Sequence, residues 1–194
     1  MNYLAHLYLS GNDTEILIGN FIADHLKGSL RNNYHGLFLK GIKLHHAIDS
    51  FTDSHPVVES SKARLRKHMN KFAPVVADVY YDHFLASNWQ NFHHEALEVY
   101  ATGIYNLLEE NKSLLPDRTN YVLHYMRQQN WLTGYAELER LDRIFKNMSA
   151  RTKYPNNMHQ SVEILNKDYD LYKNEFEVFF ADLEKMCKSF LLNA

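Results

Sequence analysis

Apolar residues recur along this chain mostly at intervals of three and four, the period of a helix buried on one face, rather than in the alternation of a half-buried strand. The pattern predicts helices over about 13–27, 34–53, 56–70, 74–88, 93–112, 117–130, 134–149 and 159–191. The expected fold is therefore all-α, a single-domain helical bundle spanning 1–194. Seven glycines and four prolines are few breaks for this length, and Pro56, Pro74 and Pro116 fall near proposed helix starts, where a missing N–H does no harm. Ser54 or His55 is placed to cap the helix that opens at Pro56, and Lys153-Tyr154-Pro155-Asn156-Asn157 reads as the loop before the last helix. That last helix spaces Leu165, Tyr169, Tyr172, Phe176, Phe179, Phe180 and Leu183 among charges as a packing face.

At 194 residues the chain can bury a substantial core within one domain. Hydrophobic residues make up 45% and charged residues 23%, an ordinary globular balance, and a net charge of -2 speaks against general nucleic-acid affinity. Cys187 is the sole cysteine, which excludes an intrachain disulfide and a cysteine-rich zinc site and leaves a buried structural thiol as its expected role. The opening Met1-Asn2-Tyr3-Leu4-Ala5-His6 lacks a basic leader, and no segment approaches ~18 consecutive apolar residues. The expected compartment is the cytoplasm, with no membrane partner.

Against this helical background, His45-His46-Ala47-Ile48-Asp49-Ser50-Phe51-Thr52-Asp53-Ser54-His55-Pro56 crowds three imidazoles and two carboxylates into one helix-compatible stretch. At about 100° per residue, His45 and Asp49 share a face and Asp53 lies one turn beyond. A solvated amphipathic helix is the plain reading of one such stripe, while imidazoles and carboxylates together suit a divalent cation, borderline or hard. A second cluster, Asp78-Val79-Tyr80-Tyr81-Asp82-His83, sets two carboxylates one turn apart among Val75, Val76, Val79, Phe84 and Leu85. Like charges repel at that spacing, and a shared cation explains two such pairs better than surface chemistry does. Lys62, Arg64, Arg66, Lys67 and Lys71 then place five cations in ten residues. These form either a solvated face or a patch that steers an acidic macromolecule or a phosphate-bearing ligand toward the metal. Aromatic residues are not interleaved with them, so no nucleic-acid partner is expected.

Four separated segments carry a resemblance. Met1-Asn2-Tyr3-Leu4-Ala5-His6-Leu7, Gly19-Asn20-Phe21-Ile22-Ala23-Asp24-His25-Leu26-Lys27-Gly28, the stretch from Gly41 through His45, Asp49 and Asp53 to Pro56, and Asp78-Val79-Tyr80-Tyr81-Asp82-His83-Phe84-Leu85 resemble the acyl carrier protein phosphodiesterase family in order and spacing. Trp89, Trp131-Leu132 and Met148-Ser149-Ala150-Arg151 fit the same pattern downstream. The resemblance implies a helical fold related to the HD-domain phosphohydrolases. It also implies a divalent-metal enzyme, with Mn²⁺ foremost and Mg²⁺ or Fe²⁺ as alternatives, that removes 4′-phosphopantetheine from holo acyl carrier protein. There are two departures. HD enzymes carry adjacent His and Asp where His45 and Asp49 here stand a turn apart, so that superfamily's ligand assignment does not transfer. Position 46, commonly arginine in the family, is His46, so a bidentate grip on phosphate falls to Arg64, Arg66 or another cation, or is missing.

On this reading the metal ligands come from His6, Asp24, His45, Asp49 and Asp82, with Asp78 behind them or on another ion. His83 either protonates the departing serine oxygen or orients water, or else hydrogen-bonds Asp49 or Asp53. Asp53 is either a catalytic acid or a hydrogen-bonded residue at a helix end. Lys62, Arg64, Arg66, Lys67 and Lys71 receive the negative face of the carrier protein. His25, His35, His68, His93, His94, His124 and His159 read as surface or satisfied core histidines. Two other functions stay open at this point: an HD-type phosphohydrolase acting on a nucleotide or other small phosphoester, and a noncatalytic carrier-binding module. The sequence leaves the oligomeric state undetermined.

Overall fold

In the computed structural model, which describes residues 1–26, 28 and 33–193, the apolar helix α5 (Ala73–Ser87) is buried on nearly all sides. Val76, Ala77, Val79, Tyr80, Tyr81, Phe84 and Leu85 all lie in the core, which is why this stretch shows no clean polar face in the sequence. Before it run α1 (Tyr3–Leu9), α2 (Thr14–Ile22), α3 (Gly36–Ser54) and α4 (Pro56–Met69). After it come α6 (Leu97–Glu110), α7 (Asp117–Gln128), the short α8 (Trp131–Gly134), α9 (Leu138–Arg151), α10 (Ser161–Lys167) and α11 (Tyr169–Asn193). The described residues contain no β-strand, and none of their helices is long and apolar enough to cross a membrane.

The expected helices are present, with three differences. The last one is two, broken at Asp168, whose non-helical φ of -126° ends α10 and whose carbonyl then accepts the Tyr172 N–H at 3.0 Å to start α11. The first expected helix ends early, passing into a 3₁₀ turn at Ala23–His25; its expected last residue, Lys27, lies outside the described residues, as does Ala194. The third difference is two short helices that the spacing did not predict, α1 and α8. His55, not Ser54, stands at the cap of α4 without a side-chain bond, and Pro56 at the first turn compensates by needing no acceptor there. Tyr172, Phe176, Phe179, Phe180 and Leu183 of α11 are buried as their spacing implies, and so is Cys187, whose thiol burial pushes up to about 12.

Helix α2 lies directly along α3, and two glycines permit the approach. A methyl group on Gly19 would run into the Phe38 carbonyl, and one on Gly41 would run into the Ile16 carbonyl. With no side chain at either position the two backbones meet, and the residues just beyond the contact, Asn20 on α2 and His45 on α3, fall within hydrogen-bond reach of each other. Helix α1 packs against both α2 and α5, which brings His6 to the same place.

Candidate metal centre

Three helices supply this centre: α1 brings His6, α2 brings Asn20, and α3 brings His45 and Asp49. The two imidazole rings are buried and stacked, with centroids 4.2 Å apart and planes inclined by 24°. Asn20 is fully buried at their Nδ1 edges. Its Nδ2 donates to the His6 carbonyl at 3.0 Å and to Ser10 Oγ at 2.9 Å. A carbonyl only accepts, so the orientation of the carboxamide is settled: Oδ1 faces the rings and accepts N–H from Nδ1 of His6 and of His45, each at 3.0 Å.

Both rings are thereby fixed as Nδ1–H tautomers, and both Nε2 atoms point the other way. There His6 Nε2 meets Asp49 Oδ1 at 3.2 Å, while His45 Nε2 meets Asp49 Oδ2 at 3.2 Å and Asp24 Oδ1 at 3.1 Å. Ligand atoms of His6, His45 and Asp49 all lie within 4.8 Å of one another. Lone pairs of two nitrogens and a carboxylate aimed at a common point repel unless a cation is shared among them, and a ring N–H bonded to a carbonyl oxygen is the usual support of a metal-bound histidine. The donor set fits a divalent metal.

The electrostatics of the cluster agree. Burial draws His6 below its ordinary value, against a hydrogen bond to Asp49 that works the other way. Burial also pulls on His45, but Asp24 and Asp49 outweigh it and hold that imidazole up at about 9. Burial works to raise Asp49, yet its bonds to His45 and His6 keep it far below the usual carboxylate range, and His45 lowers Asp24 as well. The pull of Asp24 and Asp49 that favours a proton on His45 Nε2 would act equally on a divalent ion, which would take that proton's place and leave Nε2 as a lone-pair donor. A cleft of about 90 Å³ lined by Tyr3, Phe21, Asp24 and both histidines opens the cluster to solvent, with Asp24 at its exposed edge. Beside it His46 is exposed, its ring edge-on to His45.

The second acidic cluster faces the amino end of α1. Asp82, expected among the ligands, is fully buried and accepts the backbone N–H of Asn2 at 3.0 Å and of Leu4 at 2.8 Å. It holds the amino end of α1, which Asn2 caps, from eighty residues away, and burial pushes its carboxyl up to about 7 against the pull of the amino-terminal ammonium and those N–H groups. Asp78, expected behind the ligands, accepts from the Met1 ammonium at 3.0 Å. The i, i+4 pair is thus relieved by backbone donors and an ammonium, and its oxygens serve to fix the helix that carries His6.

The profile of the family described as acyl carrier protein phosphodiesterase matches residues 1–183. The chain belongs to this family. Among relatives named acyl carrier protein phosphodiesterase, the one from Pectobacterium atrosepticum is 29% identical over 190 residues, covering 97% of this chain and 98% of its own length. The one from Serratia proteamaculans is 28% identical over 189 residues, covering 97% and 98%. That from Photorhabdus laumondii is 30% identical over 152 residues, covering 78% and 77%. No solved structure matches the chain.

In this family member the remaining expected site residues are engaged outside the cluster. His83 is buried, donates Nδ1–H to the Tyr135 carbonyl at 2.7 Å, and accepts from the Tyr169 hydroxyl at 2.9 Å on Nε2. Both ring nitrogens are occupied in joining α5 to the segments around it, and neither faces Asp49 or Asp53. Asp53 is 74% exposed and pairs with Lys62 at 2.7 Å. The basic segment is largely absorbed by the fold: Lys62 is buried in that pair, and Arg64 grips Glu175 through two bonds of 3.0 and 2.7 Å while lying over the Tyr172 ring. Arg66 pairs with Glu59, and the Lys71 ammonium sits 3.2 Å from the Tyr154 ring centroid. Lys67 is exposed.

The residue that sequence reasoning left without a role is Asn20. Its signal was there: a carboxamide inside the run Ile16-Leu17-Ile18-Gly19-Asn20-Phe21-Ile22 has to be buried, and a buried carboxamide has to be bonded.

Proposed function

We propose that this chain is a divalent-metal phosphodiesterase that removes 4′-phosphopantetheine from holo acyl carrier protein. The observation that carries the reading is the convergence of His6, His45 and Asp49, with both imidazoles locked by one buried carboxamide so that Nε2 of each faces the carboxylate. The relatives' names supply the substrate, and the cluster supplies a chemistry suited to its phosphodiester. Kinship with the HD phosphohydrolases belongs to the same reading.

His6, His45 and Asp49 hold the ion, and Asp24 joins them from the solvent edge of the cleft. Two imidazoles among carboxylates favour Mn²⁺ or Fe²⁺ over the harder Mg²⁺. When bound, such an ion lowers the pKa of a water molecule and offsets charge on a nonbridging phosphate oxygen. Hydrolysis breaks the bond from phosphorus to the carrier serine oxygen; water gives its hydroxyl to phosphorus and a proton to serine. Asn20 keeps both rings in the tautomer that donates a lone pair toward the ion.

The test is mass spectrometry of holo acyl carrier protein incubated with the purified protein in Mn²⁺ or in chelator. Loss of the phosphopantetheine mass in Mn²⁺ alone is the expected result. An intact holo mass in Mn²⁺ contradicts the reading, with tight carrier binding then indicating a noncatalytic module, and turnover of nucleotide phosphoesters indicating a small-molecule phosphohydrolase.

A further inference from the structure

Beside the metal cleft lies a second one, of about 280 Å³, that the chemistry above does not use. Its walls come from the start of α1, Val75 of α5, the end of α7, α8 and one face of α9, and Asn2 and Tyr3 line both clefts. The Tyr3 ring stands at the partition. Its centroid is 6.0 Å from that of Phe21 in the wall of the metal cleft and 6.0 Å from that of Trp131 in the wall of the second.

The lining of the second cleft has a definite chemistry. Trp131, Ile144 and Met148 make it apolar, Gln129 and Asn147 bring two carboxamides to it, and the exposed Arg151 adds one cation. The Trp131 indole N–H donates to Gln129 Oε1 at 3.0 Å, which fixes that side chain and leaves its amide nitrogen as the donor. A ligand that suits these walls is slender and mainly apolar and carries amide groups that both give and accept hydrogen bonds. It also has to connect to whatever lies at the metal.

We infer that the second cleft holds the pantetheine arm of the substrate while the phosphate lies at the His6–His45–Asp49 cluster. The inference rests on the phosphodiesterase reading. The arm begins at the phosphate with a branched dimethyl group and continues through two secondary amides linked by methylenes. The apolar wall matches the methyl and methylene groups, and the carboxamides match the amides. Tyr3, between the clefts, is the positioning residue at the point where arm meets phosphate. Selection of the substrate then resides partly in the arm, before any contact with the carrier protein.

Ile144→Trp and Met148→Trp fill the cleft from α9 without touching the metal cluster, and Asn147→Ala, at an exposed position, removes one carboxamide with little risk to folding. With holo carrier protein, the two Trp variants are expected to lower kcat/KM on the order of 10²-fold. Asn147→Ala should raise KM with kcat unchanged. All three should keep wild-type Mn²⁺ content, melting temperature and turnover of bis(p-nitrophenyl) phosphate, which has no arm. In the wild type, pantetheine alone, lacking phosphate, should shift the Trp131 indole N–H resonance. Equal loss on both substrates, or undiminished cleavage of holo carrier with no indole shift, overturns the assignment. An indole shift in a protein that leaves holo carrier intact would instead overturn the phosphodiesterase reading and leave the pantetheine site standing.

Discussion

His45 Nδ1 and Asn20 Oδ1 stand 3.0 Å apart with the hydrogen on the ring, and that one bond decides which nitrogen of His45 is left as a lone-pair donor. The same oxygen does the same for His6 at 3.0 Å. Asn20→Ala removes both supports and leaves two buried N–H groups without an acceptor. Mn²⁺ affinity should fall by about 10–100-fold in a calorimetric titration, with helical circular dichroism retained. Unchanged affinity would show that the rings are held by something other than the carboxamide.

The glycines that let α2 and α3 touch make a second prediction. Gly41→Ala drives a methyl group into the Ile16 carbonyl, and Gly19→Ala drives one into the Phe38 carbonyl. Each should cost about 1–3 kcal/mol in denaturant unfolding and weaken Mn²⁺ binding as well, because the helices that carry Asn20 and His45 are forced apart. Gly103, in the middle of α6, has nothing within 4 Å of an added methyl. Gly103→Ala should stabilise by about 0.5–1 kcal/mol and leave metal binding alone.

His83 allows a pH test. Burial holds its imidazole below the ordinary value, so the folded protein keeps it neutral while the unfolded chain takes up a proton as pH falls through about 6.5. The contribution is therefore present above that value and lost on the acid side. His83→Leu, which leaves the Tyr135 carbonyl and the Tyr169 hydroxyl without their ring partners, should be less stable by about 1–3 kcal/mol near neutral pH. The gap between variant and wild type should narrow as pH falls toward about 5, and phosphodiester turnover at neutral pH should persist. Loss of turnover with unchanged stability would restore His83 to the chemistry.

Much of this was legible in the sequence. Helical periodicity located α3, α4, α5 and α7 to within a residue or two, because each buries one long apolar face or is apolar all round. It missed α1, since a seven-residue helix has little period to read and the carboxylate that holds its first turn, Asp82, comes from eighty positions away. The stripe of His45 and Asp49 pointed to the centre because both partners sit one turn apart on one helix. The Asp78 and Asp82 pair misled for a related reason: their partners are the terminal ammonium and backbone N–H groups, which no side-chain pattern displays. Charge counting likewise could not show that Arg64 faces Glu175, one hundred and eleven residues on.

That last pair gives a further prediction. Arg64→Met should cost about 1–3 kcal/mol of stability by leaving Glu175 without its guanidinium, and should leave the salt dependence of carrier cleavage unchanged. Lys67→Glu, at an exposed position, should instead raise KM for the acidic carrier at low ionic strength and leave stability unchanged. Steady-state kinetics at two salt concentrations, beside urea unfolding, separate the two roles.

The central claim is that two imidazoles locked by one carboxamide share a divalent ion with Asp49. Electron spin-echo modulation of the Mn²⁺-loaded protein, grown with ¹⁵N-labelled histidine, reads this directly. The account predicts couplings from two histidine nitrogens, reduced to one in His6→Ala and in His45→Ala; tightly bound Mn²⁺ with no histidine coupling would contradict it.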